Sequence, residues 1–311
     1  MIQINHLTKR YRDLTAVNDL NLTIQKGDVF GFIGPNGAGK TTTIKILATL
    51  LEPTSGTAYV DGIDVVRNPL EVRRVIGYMP DFFGVYDDVK VWEYLDFFAA
   101  AYKIPTSKRK GIIDDVLELT DLSGKREAYV ESLSRGMKQR LCLAKTLVHD
   151  PKVLLLDEPA SGLDPRARIE FRALLKELQA MGKTIFVSSH ILPELADFCN
   201  VVGIMERGSL VVAGKVTDIV QRLQGHIVLD VRTTGDGDMG SRALQLLNGY
   251  PEIKEARAEG NHLTIDFTGS HEELPPLLAH LVTNGIPVAS FAQREADLED
   301  VFMKVTKGIV Q

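Results

Sequence analysis

Residues 34–41, GPNGAGKT, constrain this chain more than any other stretch. They fit the spacing G-x-x-x-x-G-K-[ST], follow the apolar run VFGFI (29–33) and open the helical pattern GKTTTIKILATLL. Strand, glycine-rich turn and helix in that order is the context in which backbone N–H groups converge on phosphate oxygens. Gly34, Gly37 and Gly39 let the backbone turn tightly, and a helix starting near Gly39 adds the positive end of its dipole. Lys40 is expected to reach the β- and γ-phosphates of a nucleotide, and the Thr41 hydroxyl to ligate Mg²⁺. Pro35, Asn36, Ala38 and Thr42 complete the predicted nucleotide-binding loop. The competing reading, a glycine-rich turn with a surface lysine, does not explain the strand before it and the helix after it.

A nucleotide site of this kind needs an acidic partner, and VLLLDEP (153–159) supplies one. Four apolar residues bury the strand, so Asp157 and Glu158 emerge at its carboxyl end, where open α/β sheets place ligands. Asp157 is the expected metal-side carboxylate, and Glu158 the expected base for an attacking water.

The surrounding pattern gives the architecture. Residues 1–62 read as short strands around one helix, and 63–135 turn helical, giving a helical subdomain over about 82–135. Apolar strands and helices then alternate through 153–206, as in a parallel sheet covered on both faces. Beyond Gln224–Gly225 the order becomes β-α-β-β-α-β, which is ferredoxin-like, with a last short helix in LEDVFMKVTKG. The predicted fold is thus α/β: a phosphate-loop cassette over 1–224 with a β-subdomain and a helical subdomain, then a small α+β domain over 225–311. A net charge of −5 gives no general pull toward nucleic acid, and no nucleic-acid partner is expected. No apolar run approaches the roughly 20 residues that span a bilayer, and the N-terminus reads as a strand rather than a signal segment. Cys142 and Cys199 lack metal-ligand spacing and are expected to be buried thiols.

A second anion-type helix start follows at Ser134. In SRGMKQRLCLAKTLVHD, Met137, Leu141, Ala144, Leu147 and Val148 fall at helical spacing, and Ser134 suits the N-cap. Taken alone this is a well-capped amphipathic helix with a basic face. Placed just before the DE strand and about a hundred residues after the phosphate loop, LSRGMKQ resembles the signature segment of ATP-binding-cassette (ABC) ATPases. Tyr11 resembles the aromatic that stacks on adenine, SGLD (161–164) the loop carrying Asp164 between sites, and His190 after TIFVSS the switch histidine. The resemblance covers about residues 1–220, and the C-terminal remainder is similar to the extension of drug-efflux-type subunits.

The resemblance implies an ATP-hydrolysing subunit with ATP and Mg²⁺ as cofactors, peripheral at the cytoplasmic face of a membrane and docked on a transmembrane permease. It implies also a head-to-tail dimer, expected to be a homodimer, in which Ser134, Arg135, Gly136, Met137, Lys138 and Gln139 cover the nucleotide on the partner's phosphate loop. Glu158 and His190 are the expected catalytic pair, with Thr41, Asp81 and Asp157 at the metal. Asp81 is a departure: after the strand VIGYM the family usually has a glutamine. Eight aromatics crowd 82–102; Leu95, Phe97 and Phe98 are expected in the core, and Phe82, Phe83 and Tyr86 at a docking surface. The C-terminal domain is expected to regulate or support the dimer. The alternative, a soluble cassette ATPase acting on DNA or ribosomes, lacks the coiled coils, zinc insertions or second cassette usual in that class.

Overall fold

The computed structural model describes residues 1–82, 84, 88–191, 195, 198–216, 218–219, 227–235 and 238–293. The chain divides into two compact units, Met1–Val216 and Thr217–Gln311, a division upstream of the one drawn from pattern at Gly225. Phe83, Tyr86, Gln224, Gly225 and the last predicted helix lie outside the described residues, as does most of the helix expected over 191–199.

In the first unit, β1 (Ile2–Tyr11), β2 (Leu14–Ile24), β4 (Ser55–Val60) and β5 (Ile63–Asp64) form an antiparallel sheet in the order β2-β1-β4-β5. Alternation along β1 and β2 puts Ile2, Ile4, Leu20, Leu22 and Ile24 on the buried face. The second sheet runs β10-β9-β3-β8-β7-β6, from β3 (Val29–Ile33), β6 (Ile76–Met79), β7 (Val153–Leu156), β8 (Thr184–Ser189), β9 (Val201–Glu206) and β10 (Ser209–Lys215). Its strands are parallel except for β10, which pairs antiparallel at the edge. Every residue of β3, β7 and β8 is buried, as continuous apolar runs require. Between the two sheets lies α1 (Lys40–Leu47); its Ile44, Ile46 and Leu47 join Phe30, Phe32, Phe186 and Leu155 in one core. The rings of Phe30 and Phe32 each sit within 5.2 Å of Phe186, centroid to centroid.

The helical part consists of α3 (Val91–Ala101), α4 (Thr106–Leu119) and α5 (Arg135–Leu147), with α2 (Pro69–Val75) before β6 and α6 (Pro165–Ala180) after β7. One core assignment is corrected here. Phe97 is 55% exposed and Tyr94 is buried in its place, while Leu95 is buried as expected. Along α3 the inward stripe runs through Val91, Tyr94, Leu95 and Ala99, and Phe97 falls outside its phase.

The second unit pairs β11 (Ile227–Thr233), β12 (Ile253–Glu259), β13 (His262–Phe267) and β14 (Val288–Gln293) antiparallel in the order β12-β13-β11-β14. With α7 (Met239–Leu247) and α8 (Leu274–Thr283) this is the ferredoxin-like arrangement. Leu229, Val231, Leu263, Ile265 and Phe267 meet Ala243, Leu247, Leu277 and Leu281 in its own core.

Candidate nucleotide site

Three adjacent strands end together. In the register β3–β8–β7, Ile33 pairs with Ser189 and Leu156 with Val187. The segments beginning at Gly34, Asp157 and Ser189 therefore emerge side by side at the carboxyl edge of the sheet.

The phosphate loop 34–39 packs tightly against its neighbours. A Cβ on Gly34 would lie 2.3 Å from the Met205 carbonyl oxygen, and one on Gly39 2.3 Å from that of Ala16. Gly39 also holds φ +105 as the N-cap of α1, a conformation that a side chain disfavours. Lys40 is almost fully buried, and its Nζ donates to the carbonyls of Gly34 (2.6 Å) and Pro35 (3.2 Å). The same ammonium lies 3.4 Å from Glu158 Oε1. Oxygen atoms thus surround the one cation that a phosphate would need.

The acidic pair is held by hydroxyls. Asp157 is 1% exposed, and its Oδ1 accepts from Ser188 (2.7 Å) and Thr41 (3.2 Å). Burial pushes its carboxyl up; the two hydroxyl bonds pull it down, and the charges of Asp81 and Glu158 add to the rise. Tyr78 in β6 feels the same field, and its phenol is pushed up to about 12 by burial and then by Asp157 and Asp81. Glu158 adopts φ +48, uncommon for a residue with a side chain. Its N–H donates to Ser188 Oγ (3.0 Å), its Oε2 meets His190 Nδ1 at 2.8 Å, and its carbonyl accepts from the Ser161 N–H (3.0 Å). Ser188, which bonds both acidic residues, was not singled out from sequence; the serine pair before His190 was the only available sign.

The Thr41 hydroxyl and Asp157 carboxylate fit Mg²⁺, a hard cation taking oxygen ligands. Among the described residues no group of three or more His, Cys, Asp or Glu could hold a metal, so a Mg²⁺ here would draw its other ligands from phosphate and water. Asp81 is exposed at the end of β6; its charge reaches Asp157 and Tyr78.

The second helix start is built as its sequence predicts. Ser134 caps α5 by accepting from the Met137 N–H at 3.3 Å, and Ser134 and Arg135 are exposed. Gly136, Met137 and Lys138 are half-buried. Gln139 departs from its assignment to the partner-facing group: it is 3% exposed, and its side-chain amide donates to the Pro159 carbonyl of its own chain. At the neighbouring turn, Asp164 caps α6 by accepting from the Ala167 N–H at 2.9 Å. Tyr11, 44% exposed, ends β1 with the Lys9 ammonium 5.2 Å above its ring.

A strand-ended phosphate loop, a paired Asp–Glu, a histidine on the glutamate and a serine-capped signature helix together define the class of a P-loop ATPase cassette. Comparison with known proteins places it further. Residues 17–161 match the model of the ABC transporter family, and 214–306 that of the C-terminal domain of the DrrA1-3-like ATP-binding protein. The bacitracin transport ATP-binding protein of Bacillus licheniformis is 35% identical over 311 residues, covering 99% of this chain and 98% of that one. The linearmycin resistance ATP-binding protein of Bacillus subtilis is 29% identical over 308 residues, covering 98% of each. A solved dimeric cassette in a post-hydrolysis state with ADP and Pi superposes with a TM-score of 0.63 at 25% identity, covering 70% of this chain and 99% of that one. The chain belongs to the ABC transporter ATP-binding family. It is an ATP-binding, ATP-hydrolysing subunit of that family.

Proposed function

We propose that each chain contributes two half-sites, and that two identical chains close head to tail on two ATP molecules with Mg²⁺. The observation that supports this most is the meeting of Lys40, Thr41, Asp157, Glu158 and His190 at three strand ends, with the signature segment on a separate helix start. Lys40 exchanges its carbonyl contacts for the β- and γ-phosphates, while loop 34–42 wraps the phosphate chain and Tyr11 stacks on adenine. Thr41 and Asp157 would hold Mg²⁺, which when bound would neutralise developing phosphate charge, and Asp81 would add a third carboxylate to that side of the site. Glu158 accepts the proton of the attacking water; His190 fixes that carboxylate through its 2.8 Å contact. Ser134 to Lys138 of one chain cover the nucleotide of the other, with Asp164 between the sites.

The permease completes the molecule. No helix among the described residues is long and apolar enough to cross a membrane. A groove of about 530 Å³ runs between α2 and α3, with Leu50, Leu70 and Tyr102 in its wall and Arg73, Arg74 and Lys145 at its rim. That mixture suits an amphipathic cytoplasmic helix of the permease carrying carboxylates. Phe82, 89% exposed just after Asp81, offers a further apolar contact to the permease, in keeping with a subunit docked at the cytoplasmic face.

Glu158→Gln tests the catalytic assignment. It keeps the phosphate contacts but removes the base, so ATP binding is expected to persist while turnover falls by about 100-fold or more. Unchanged steady-state hydrolysis would refute the role.

A further inference from the structure

Three side chains along α5 reach one short stretch of the catalytic loop and its following helix. Arg135 donates to the Ser161 carbonyl at 3.2 Å, Gln139 donates to that of Pro159, and Arg140 pairs with Glu170 of α6. The middle contact matters most for chemistry, because Pro159 directly follows Glu158. Glu158 sits at φ +48, a conformation costing on the order of 1 kcal/mol or more that persists only where surroundings impose it. Those surroundings are three hydrogen bonds in sequence. The Glu158 N–H goes to Ser188, the Glu158 carbonyl takes the Ser161 N–H, and the next carbonyl takes the Gln139 amide. Gln139 alone among these partners lies on a helix, and it is 3% exposed with its amide turned toward its own chain's Pro159.

We propose that Gln139 is a positioning residue for Glu158 of its own chain, holding the Glu158–Pro159 turn so that the carboxylate stays aimed between Lys40 and His190. The wider consequence rests on the head-to-tail reading above. The helix whose first turn serves one nucleotide is bolted, through Gln139, to the carboxylate that serves the other. A shift of α5 on meeting a partner's phosphates is thereby transmitted to the chain's own Glu158.

The test begins with Gln139→Glu, which keeps size and turns the donor into an acceptor facing a carbonyl. Expected is a fall in kcat of about 100-fold, the scale of a misplaced catalytic group, with ATP affinity, measured directly, within about twofold. Retained ATP binding shows that the chain is folded. Should Gln139→Glu fail to fold, Gln139→Met, which adds no buried charge, takes its place. A general loss of affinity and stability without a selective loss of kcat overturns the proposal.

Mixed dimers, isolated with two tags and followed by single-turnover hydrolysis, separate own-chain from partner action. With Gln139→Glu and Glu158→Gln on the same chain opposite a native one, hydrolysis should equal that of the Glu158→Gln/native dimer. With the two changes on opposite chains it should fall by about 100-fold. The reverse result would place Gln139 at the partner's nucleotide and refute the proposal. Failure to obtain ATP-dependent mixed dimers refutes the head-to-tail reading instead. In that case kcat of Gln139→Glu alone decides: a selective fall supports positioning, and an unchanged kcat ends it.

Discussion

At the scale of single residues, Asp157 illustrates a cost accepted for function. Burial raises its carboxyl from its ordinary value, so the folded chain binds this proton more readily than the unfolded chain. The associated stability is full below the unfolded value and is lost as pH rises through the folded one. Asp157→Asn should therefore raise the urea midpoint of the nucleotide-free protein at pH 7, with the gain shrinking toward pH 4. Its Mg²⁺-dependent hydrolysis should fall by about 100-fold or more. A gain independent of pH would assign the effect to another cause. Lys40→Ala, by contrast, should lose ATP affinity by at least about tenfold, because a charge-assisted contact disappears. Positions set by motif spacing were legible: Gly34 to Thr42, Asp157, Glu158, Ser134 and His190 all lie at strand ends or helix starts that the pattern announces. Ser188 and the inward turn of Gln139 were not, because a hydroxyl or amide's partner is chosen by tertiary packing that no spacing encodes.

Between elements, α5 is the hinge of the cassette's organisation. Its helical period was clear, but so many of its residues are buried that period alone could not say which side met what. Phe97 was misplaced for a related reason, since Tyr94 and Phe97 are both large aromatics on α3 and the phase of the helix separates them. Arg140 anchors α5 twice, to Asp121 beyond α4 at 2.8 Å and to Glu170 of α6. Its side chain is only 16% exposed, so the charge is partly shielded from water. Arg140→Ala is expected to cost about 1–2 kcal/mol, and less in a Glu170→Ala background. Chemical denaturation of the four chains of that double-mutant cycle measures the coupling. The strands were the most legible elements, since β1, β8 and β9 coincide with their apolar or alternating runs.

For the molecule as a whole, the shared-site reading predicts complementation. A Lys40→Ala chain mixed with a Ser134→Arg chain leaves one composite site intact, so ATPase activity should return to the mixed dimer. Continued inactivity in proven heterodimers would argue against shared sites. The C-terminal unit has its own core, and a chain ending at Val216 should keep ATP binding while its ATP-dependent dimer weakens; ultracentrifugation with ATP would show it. Its β-α-β-β-α-β order was readable because each element is short, separate and cleanly patterned, whereas its boundary fell where pattern changes slowly. Cys142 and Cys199 are both buried, and burial raises both thiols well away from the reactive thiolate. The native chain is thus silent toward maleimides, and a cysteine introduced in place of exposed Phe82 should label rapidly against almost no background. Under the proposed docking, a fluorophore there should change its emission when the permease is added, and no change would count against that surface.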